Sequence, residues 1–308
     1  MNSRPTEEEM KTAAGIIRRG GLVAFPTETV YGLGANALNQ EAVAKIYAAK
    51  ERPFASPLIV HVSDEAMARS IAADWPESAQ RLAAQFWPGP LTLIVKKASI
   101  VPDLVTAGLD SVGVRMPAHP IALDLIRRAG VPIAAPSANR FTEISPTTAE
   151  HVRASLGGRI DMILDGGATQ VGIESTVASL RRKPPVVLRP GMITQSQLES
   201  ATGMAWEREV DIPHIGGLPD ESPGLHAKHY APRTPFYLLE PDAPKPAGKG
   251  RVLEMPSDRA AYAALLYAEL HKADGEGWEW IAIARPPDGP EWAGILDRLK
   301  RASQSSVD

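Results

Sequence analysis

The sequence predicts an α/β protein: a twisted, mixed parallel and antiparallel sheet with covering helices, followed by a small Rossmann-like αβ domain. Three observations carry this. First, short apolar runs alternate with helical stretches up to about Trp206, and some runs follow each other directly, as a mixed sheet requires. Second, residues 211–235 hold Pro213, Gly216, Gly217, Pro219, Pro223, Gly224, Pro232 and Pro235 with little periodicity. Third, the alternation resumes at residue 236. The expected division is 1–205, a linker or lid at 206–235, and 236–308.

In order, Thr6 with Glu9 is a capping-box pattern and Gly20-Gly21 a stop, so residues 6–19 read as a helix. LVAF (22–25), ended by Pro26, reads as a buried strand. Ala42, Val43, Ile46 and Tyr47 recur at helical spacing. PLIVHV (57–62) and LTLIVKK (91–97) are strands separated by a helical stretch over 64–86. VGVRM (112–116), a helix over 120–129 and PIAAPSAN (132–139) continue the alternation, and MILD (162–165), STVASL (175–180) and PVVLR (185–189) add strands. The tail reads FYLLE (236–240), RVLEM (251–255), a helix over 258–271, WEWIAIA (278–284) and a last helix over 291–302. No fixed-period repeat occurs, which excludes a solenoid.

The 308 residues are 44% hydrophobic and 22% charged, the balance of an ordinary globular protein of two domains. A net charge of −3 gives no general attraction to nucleic acid or anionic membrane, so phosphate binding must come from local clusters. The absence of cysteine excludes disulfides, thiolate nucleophiles and Cys-ligated metals. The N-terminus lacks a signal-like apolar run and no stretch approaches the ~20 apolar residues of a bilayer span, so a cytoplasmic location is expected. There is no GxxxxGK[ST], no complete GxGxxG (Gly32 and Gly34 lack the third glycine), no HExxH and no GxSxG.

Several constellations can carry chemistry. FPTETVYGLG (25–34) sets Thr27, Glu28 and Thr29 beside two glycines; it reads equally as a ligand-approach loop or as a threonine-capped turn. Lys50 and Arg52 end a helix near the strand that carries His61. Two cations this close call for an anion such as a triphosphate, or else form a solvated helix end. Ser137, Asn139 and Arg140 leave a strand at its C-terminal end, where ligands bind in open αβ sheets, or where an Asx-type turn simply forms. Arg115 and Arg189 end two further strands, and arginine is the natural bidentate partner of carboxylate and phosphate. Together with Lys50 and Arg52 they suggest a polyanionic substrate.

PTETVYGLG, KERPxxxPL, FWPGPLTLI, VGVRMP, PSAN, ESTV, LRPG and SPGLHAKHYAP, in this order, resemble the YrdC-domain family of threonylcarbamoyl-AMP synthases in its longer two-domain form. The resemblance is strong over about residues 10–235 and weak over the tail, which looks trimmed at its front. It implies a YrdC-like twisted sheet with a basic groove, and synthesis of L-threonylcarbamoyl-adenylate from L-threonine, bicarbonate and ATP for tRNA modification. The family's KxR and SxN elements correspond to Lys50, Arg52, Ser137 and Asn139, with Lys50 and Arg52 in the catalytic role. By the same resemblance, Arg52, Ser56, Ser137, Asn139, Ser145 and Arg189 hold ATP and Tyr230 closes over it. Thr29, His61, Arg115 and Ser175 hold threonine, with Arg115 on its carboxylate. No carboxylate cage is visible, so Mg²⁺ is expected to ride on the nucleotide, and no general base is assigned, although Glu28 lies in the right loop. The expected partners are the substrates and a downstream tRNA-threonylcarbamoyl transferase, with weak RNA binding admissible. Two other readings stay open: a carbamoyl-adenylate-forming carbamoyltransferase, whose relatives carry extra acylphosphatase and zinc-finger segments, and a double-stranded-RNA-binding module with steep salt dependence and no turnover.

Overall fold

A computed structural model describes residues 4–208, 229–241 and 243–303. The first part contains, in order, α1 (Glu7–Arg18), β1 (Val23–Phe25), β2 (Gly32–Asn36), α2 (Gln40–Lys50), β3 (Ile59–His61), α3 (Glu65–Ile71), α4 (Glu77–Phe86), β4 (Leu91–Lys96), α5 (Asp103–Thr106), β5 (Ser111–Arg115), α6 (Pro120–Ala129), β6 (Ile133–Ala134), α7 (Ala149–Leu156), β7 (Met162–Ile163), β8 (Thr176–Ser179), β9 (Val186–Arg189), α8 (Gln195–Thr202) and β10 (Glu207–Arg208). The capping box at Thr6 is present: the Glu9 amide donates to Thr6 Oγ1 at 3.2 Å, and Thr6 N donates to the Glu9 carboxylate at 2.7 Å.

Two departures from the sequence reading have clear causes. Gly32 to Gly34, read as the end of a ligand-approach loop or capped turn, opens strand β2 (GLGAN). Its strand propensity is poor, but it pairs antiparallel with β1 on one side and β6 on the other. A Cβ on Gly34 would meet Phe25 and Ile133 at 2.7 and 2.8 Å, so glycine lets the three strands close up. The helical stretch 64–86 is two helices: Ala72 turns extended and bridges Lys97, and Pro76 opens α4.

The ten strands run in the order β10-β9-β8-β4-β5-β3-β6-β2-β1-β7. β3 is parallel to β5 and β4 to β8, whereas β6 runs antiparallel to both β3 and β2. The sheet is therefore mixed. Tyr47, Val60, Leu82, Leu93 and Val114 bury one side of it under α2 and α4. Ile17, Phe25, Leu125 and Ile126 form a second cluster beneath α1 and α6.

The second domain comprises β11 (Phe236–Leu239), β12 (Gly250–Leu253), α9 (Arg259–Asp274), β13 (Trp280–Ala284) and α10 (Ala293–Ala302), with a parallel sheet ordered β11-β13-β12. Its core, including Leu266, Tyr267, Ile281 and Leu299, is continuous with Val30, Ile144 and Ile173 of the first domain. The two parts thus share apolar packing. Residues 209–228 of the expected linker or lid lie outside the described residues. Among the described residues no helix is long and apolar enough to cross a membrane.

Candidate active site

A cleft of about 560 Å³ lies on one face of the large sheet. Ile59 and His61, two apart on β3, point into it together, as strand periodicity demands. Because β6 runs against β3, its continuation carries Ala135, Pro136 and Ser137 back along β3, past Ile59 towards Leu58. Ser137 does follow the C-terminal end of β6, and Arg115 and Arg189 end β5 and β9, but in an antiparallel neighbourhood these ends point opposite ways, so the site spreads over the face. Gly32 of β2 also borders the cleft.

At one end, Arg115 Nη2 donates to Glu28 Oε1 at 2.6 Å and to Thr29 Oγ1 at 2.9 Å, and the Ala118 amide donates to Glu28 Oε2 at 3.0 Å. Glu28 is thus held as a partner of Arg115. Thr27 Oγ1 accepts from the amides of Thr29 and Val30, each at 3.2 Å, which folds PTET into a hydroxyl-capped turn that also lines the cleft. The capped-turn reading of this segment holds. His61 is 3% exposed, and its Nδ1 has no hydrogen-bond partner. Burial and the nearby Arg115 push its pKa down to about 3, so the ring is neutral and can accept or donate.

At the other end Arg52, 7% exposed, donates through Nη2 to Ser56 Oγ and Pro57 O, and stands 5.8 Å from the Phe141 ring. Its Nε has no partner, and burial pushes its pKa down to about 10. Arg189, buried at the end of β9, donates from Nε and Nη2 to Ser175 O at 3.2 and 3.1 Å and from Nη2 to Ser175 Oγ at 3.2 Å. Tyr230 closes the top: it is 2% exposed, adopts φ 62°, and packs on Tyr267 and His229.

Of the residues singled out in the sequence, Thr29, Arg52, His61, Arg115, Ser137, Ser175, Arg189 and Tyr230 line the cleft. Lys50, Ser56, Asn139 and Ser145 stand behind its wall. Lys50 is 1% exposed, and its ammonium donates to Ser137 O at 2.5 Å and to Asn139 O. It clamps the PSAN loop. Its burial overturns the alternative of a solvated helix end; the ammonium expected to cradle phosphate faces these loop carbonyls. Asn139 Nδ2 donates to Arg140 O and Glu143 O at 2.8 and 2.9 Å, closing the same loop. Ser145 Oγ donates to Glu174 Oε1 at 2.5 Å.

Glu174 was passed over, although it opens the ESTV motif. Burial raises its pKa, but Arg298 and Arg189 outweigh that and bring it down to about 2. Arg298 had no sequence signal, because DRLKR reads as a solvated helix face.

The family described as telomere recombination (Sua5/YciO/YrdC) matches residues 15–191, and that described as threonylcarbamoyl-AMP synthase, C-terminal domain, matches residues 193–304. A threonylcarbamoyl-AMP synthase of Bacillus subtilis is 49% identical, over 98% of this chain and 86% of that protein. One from Pyrococcus abyssi is 48% identical, over 78% of this chain and 70% of its own length. The solved structure of P. abyssi Sua5 complexed with L-threonine superposes with a TM-score of 0.90 at 38% identity, covering 98% of this chain and 96% of that one. The chain belongs to the threonylcarbamoyl-AMP synthase family, in its two-domain form.

Proposed function

We propose that this protein condenses L-threonine, bicarbonate and ATP into L-threonylcarbamoyl-adenylate, with release of pyrophosphate and water, for threonylcarbamoyladenosine formation in tRNA. One observation carries the reading: Arg52 is buried on the cleft wall with no carboxylate partner among the described residues and an unsatisfied Nε. A buried cation without a counter-charge is costly, and a phosphate supplies the missing anion. The relatives' names and the threonine-bound neighbour support the same reaction.

Threonine occupies the end formed by Thr29, His61, Arg115 and Ser175. Arg115 keeps donors for the substrate carboxylate while Glu28 fixes its orientation. The threonine amine combines with bicarbonate to give a carbamate and water. A carbamate oxygen then attacks the α-phosphorus, forming the P–O bond as the bond to pyrophosphate breaks. Arg52 and Arg189 neutralise charge on the phosphates, and Ser137, held by Lys50 through its carbonyl, presents its hydroxyl; Ser56, Asn139 and Ser145 support this wall. The work is positioning and electrostatic stabilisation, not covalent chemistry by the protein. Tyr230 shields the water-labile carbamate and anhydride.

Glu174, which lines the cleft, and Glu28, which stands behind Arg115, are both engaged by arginines. That donor set fits Mg²⁺ arriving on the triphosphate, where it would offset charge, better than a protein-held ion. The proposal also includes the division at 1–205, 206–235 and 236–308, a cytoplasmic setting and delivery to a tRNA-threonylcarbamoyl transferase. The test is pyrophosphate release with labelled bicarbonate. It should require both threonine and ATP, and Arg52→Ala should abolish it. Release independent of threonine would refute the assignment.

A further inference from the structure

Arg298 lies on α10 of the second domain, yet it is 0% exposed. Its Nε donates to Glu174 Oε2 at 2.7 Å, its Nη2 to Glu174 O at 3.3 Å, and its Nη1 to Pro190 O at 3.0 Å and Asp297 Oδ2 at 2.7 Å. Glu174 immediately precedes Ser175, and Pro190 immediately follows Arg189. Arg189 in turn donates to Ser175, so one guanidinium from the second domain closes a ring through the entry of β8 and the exit of β9. Tyr267 of α9 adds a donor to Glu174 Oε2 at 3.0 Å.

The backbones are brought close enough to make this ring stiff. A Cβ on Gly294 of α10 would lie 2.8 Å from the Gly191 backbone, and one on Gly172 would lie 2.2 Å from Ala263 O of α9. A buried ion pair holds only when its remaining donors and acceptors are matched, and here Ser145, Tyr267, Pro190 and Asp297 match them. The Arg298 guanidinium also stands 5.4 Å from the Tyr230 ring.

We propose that Arg298 is a positioning residue of the active site: by holding Glu174 and Pro190 it fixes Ser175 and Arg189 for the nucleotide, so that the second domain sets ATP affinity. The proposal rests on the nucleotide site described under Proposed function. Arg298→Lys keeps the charge facing Glu174 but cannot span Glu174 and Pro190 together. Tyr267→Phe removes one donor to Glu174 and leaves its ring packing in place.

Calorimetric titration of the full-length protein with ATP, alongside thermal unfolding and steady-state kinetics, tests this. Arg298→Lys should raise the ATP Kd about tenfold, equivalent to about 1.4 kcal/mol. Its unfolding midpoint should fall, because Pro190 O and Asp297 lose their donor, but the protein should stay folded at the assay temperature, and KM for ATP should move more than kcat. Tyr267→Phe should raise the Kd about threefold, as expected for one lost hydrogen bond. Should Arg298→Lys fail to fold, Tyr267→Phe decides alone. Unchanged ATP affinity in folded Arg298→Lys and Tyr267→Phe, with Arg52→Ala still abolishing ATP binding, overturns the role of Arg298 and spares the site. Absence of ATP binding in the unaltered protein overturns both.

Discussion

Lys50→Met separates two roles that the sequence could not distinguish. The substitution keeps the volume and apolar stem of the lysine and removes only its ammonium. In the structure that ammonium faces two backbone carbonyls, those of Ser137 and Asn139, and burial holds its pKa well below the usual lysine value. Two charge-assisted hydrogen bonds contribute about 3–6 kcal/mol when the group stays fully charged. The desolvation of a buried amine opposes this, so a net loss of about 3 kcal/mol is a reasonable expectation. For a chain of this size that corresponds to a fall in Tm of about 5 °C. Once released, the loop no longer holds Ser137 against the cleft, so on the proposed function ATP affinity should fall with stability. Thermal unfolding followed by circular dichroism, paired with ATP titration below the new midpoint, reads both quantities. A Lys50→Met protein with its Tm within about 1 °C of the original but without turnover would refute the clamp, and would return the lysine to the phosphates.

Three further outcomes follow from the geometry. Tyr230→Ala should leave the large sheet folded but raise KM for ATP about tenfold, since an aromatic cover worth about 1.4 kcal/mol or more is removed; unchanged kinetics would take the ring out of the site. Gly172→Ala places a side chain at φ +80° and against Ala263 O. It should cost about 2 kcal/mol from backbone strain alone and weaken the docking of α9, visible as a lower urea midpoint. His151 and His271 stack at 3.8 Å between the two domains, with His151 held down to about 4 and His271 also lowered, both chiefly by burial. The unfolded chain binds protons more readily at these positions, so stability is intact above about pH 6.5 and is lost as pH falls towards 4. After allowance for the partial exposure of His151, its share is about 2 kcal/mol. Urea midpoints at pH 7.5 and 5 should differ less in His151→Gln than in the unaltered protein.

Most strands, and helices α1, α2, α6, α9 and α10, were legible because their apolar runs obey local periodicity, and local periodicity is what the core selects. β2 was not legible, because GLGAN becomes a strand only when β1 and β6 flank it closely enough to exclude a Cβ. The same limit governs the site. Arg52, Arg115 and Arg189 announce anion binding by residue type alone, and all three reach the cleft. Lys50 announces the same chemistry two residues from Arg52 but turns the other way, because Glu51 between them adopts φ 54° and ends α2 there. A left-handed residue at that point sends the two cations to different tasks, one to backbone carbonyls and one to the cleft. Residue type therefore names the ligand class, while the division of labour among like residues is decided by a single backbone angle that no composition or spacing encodes.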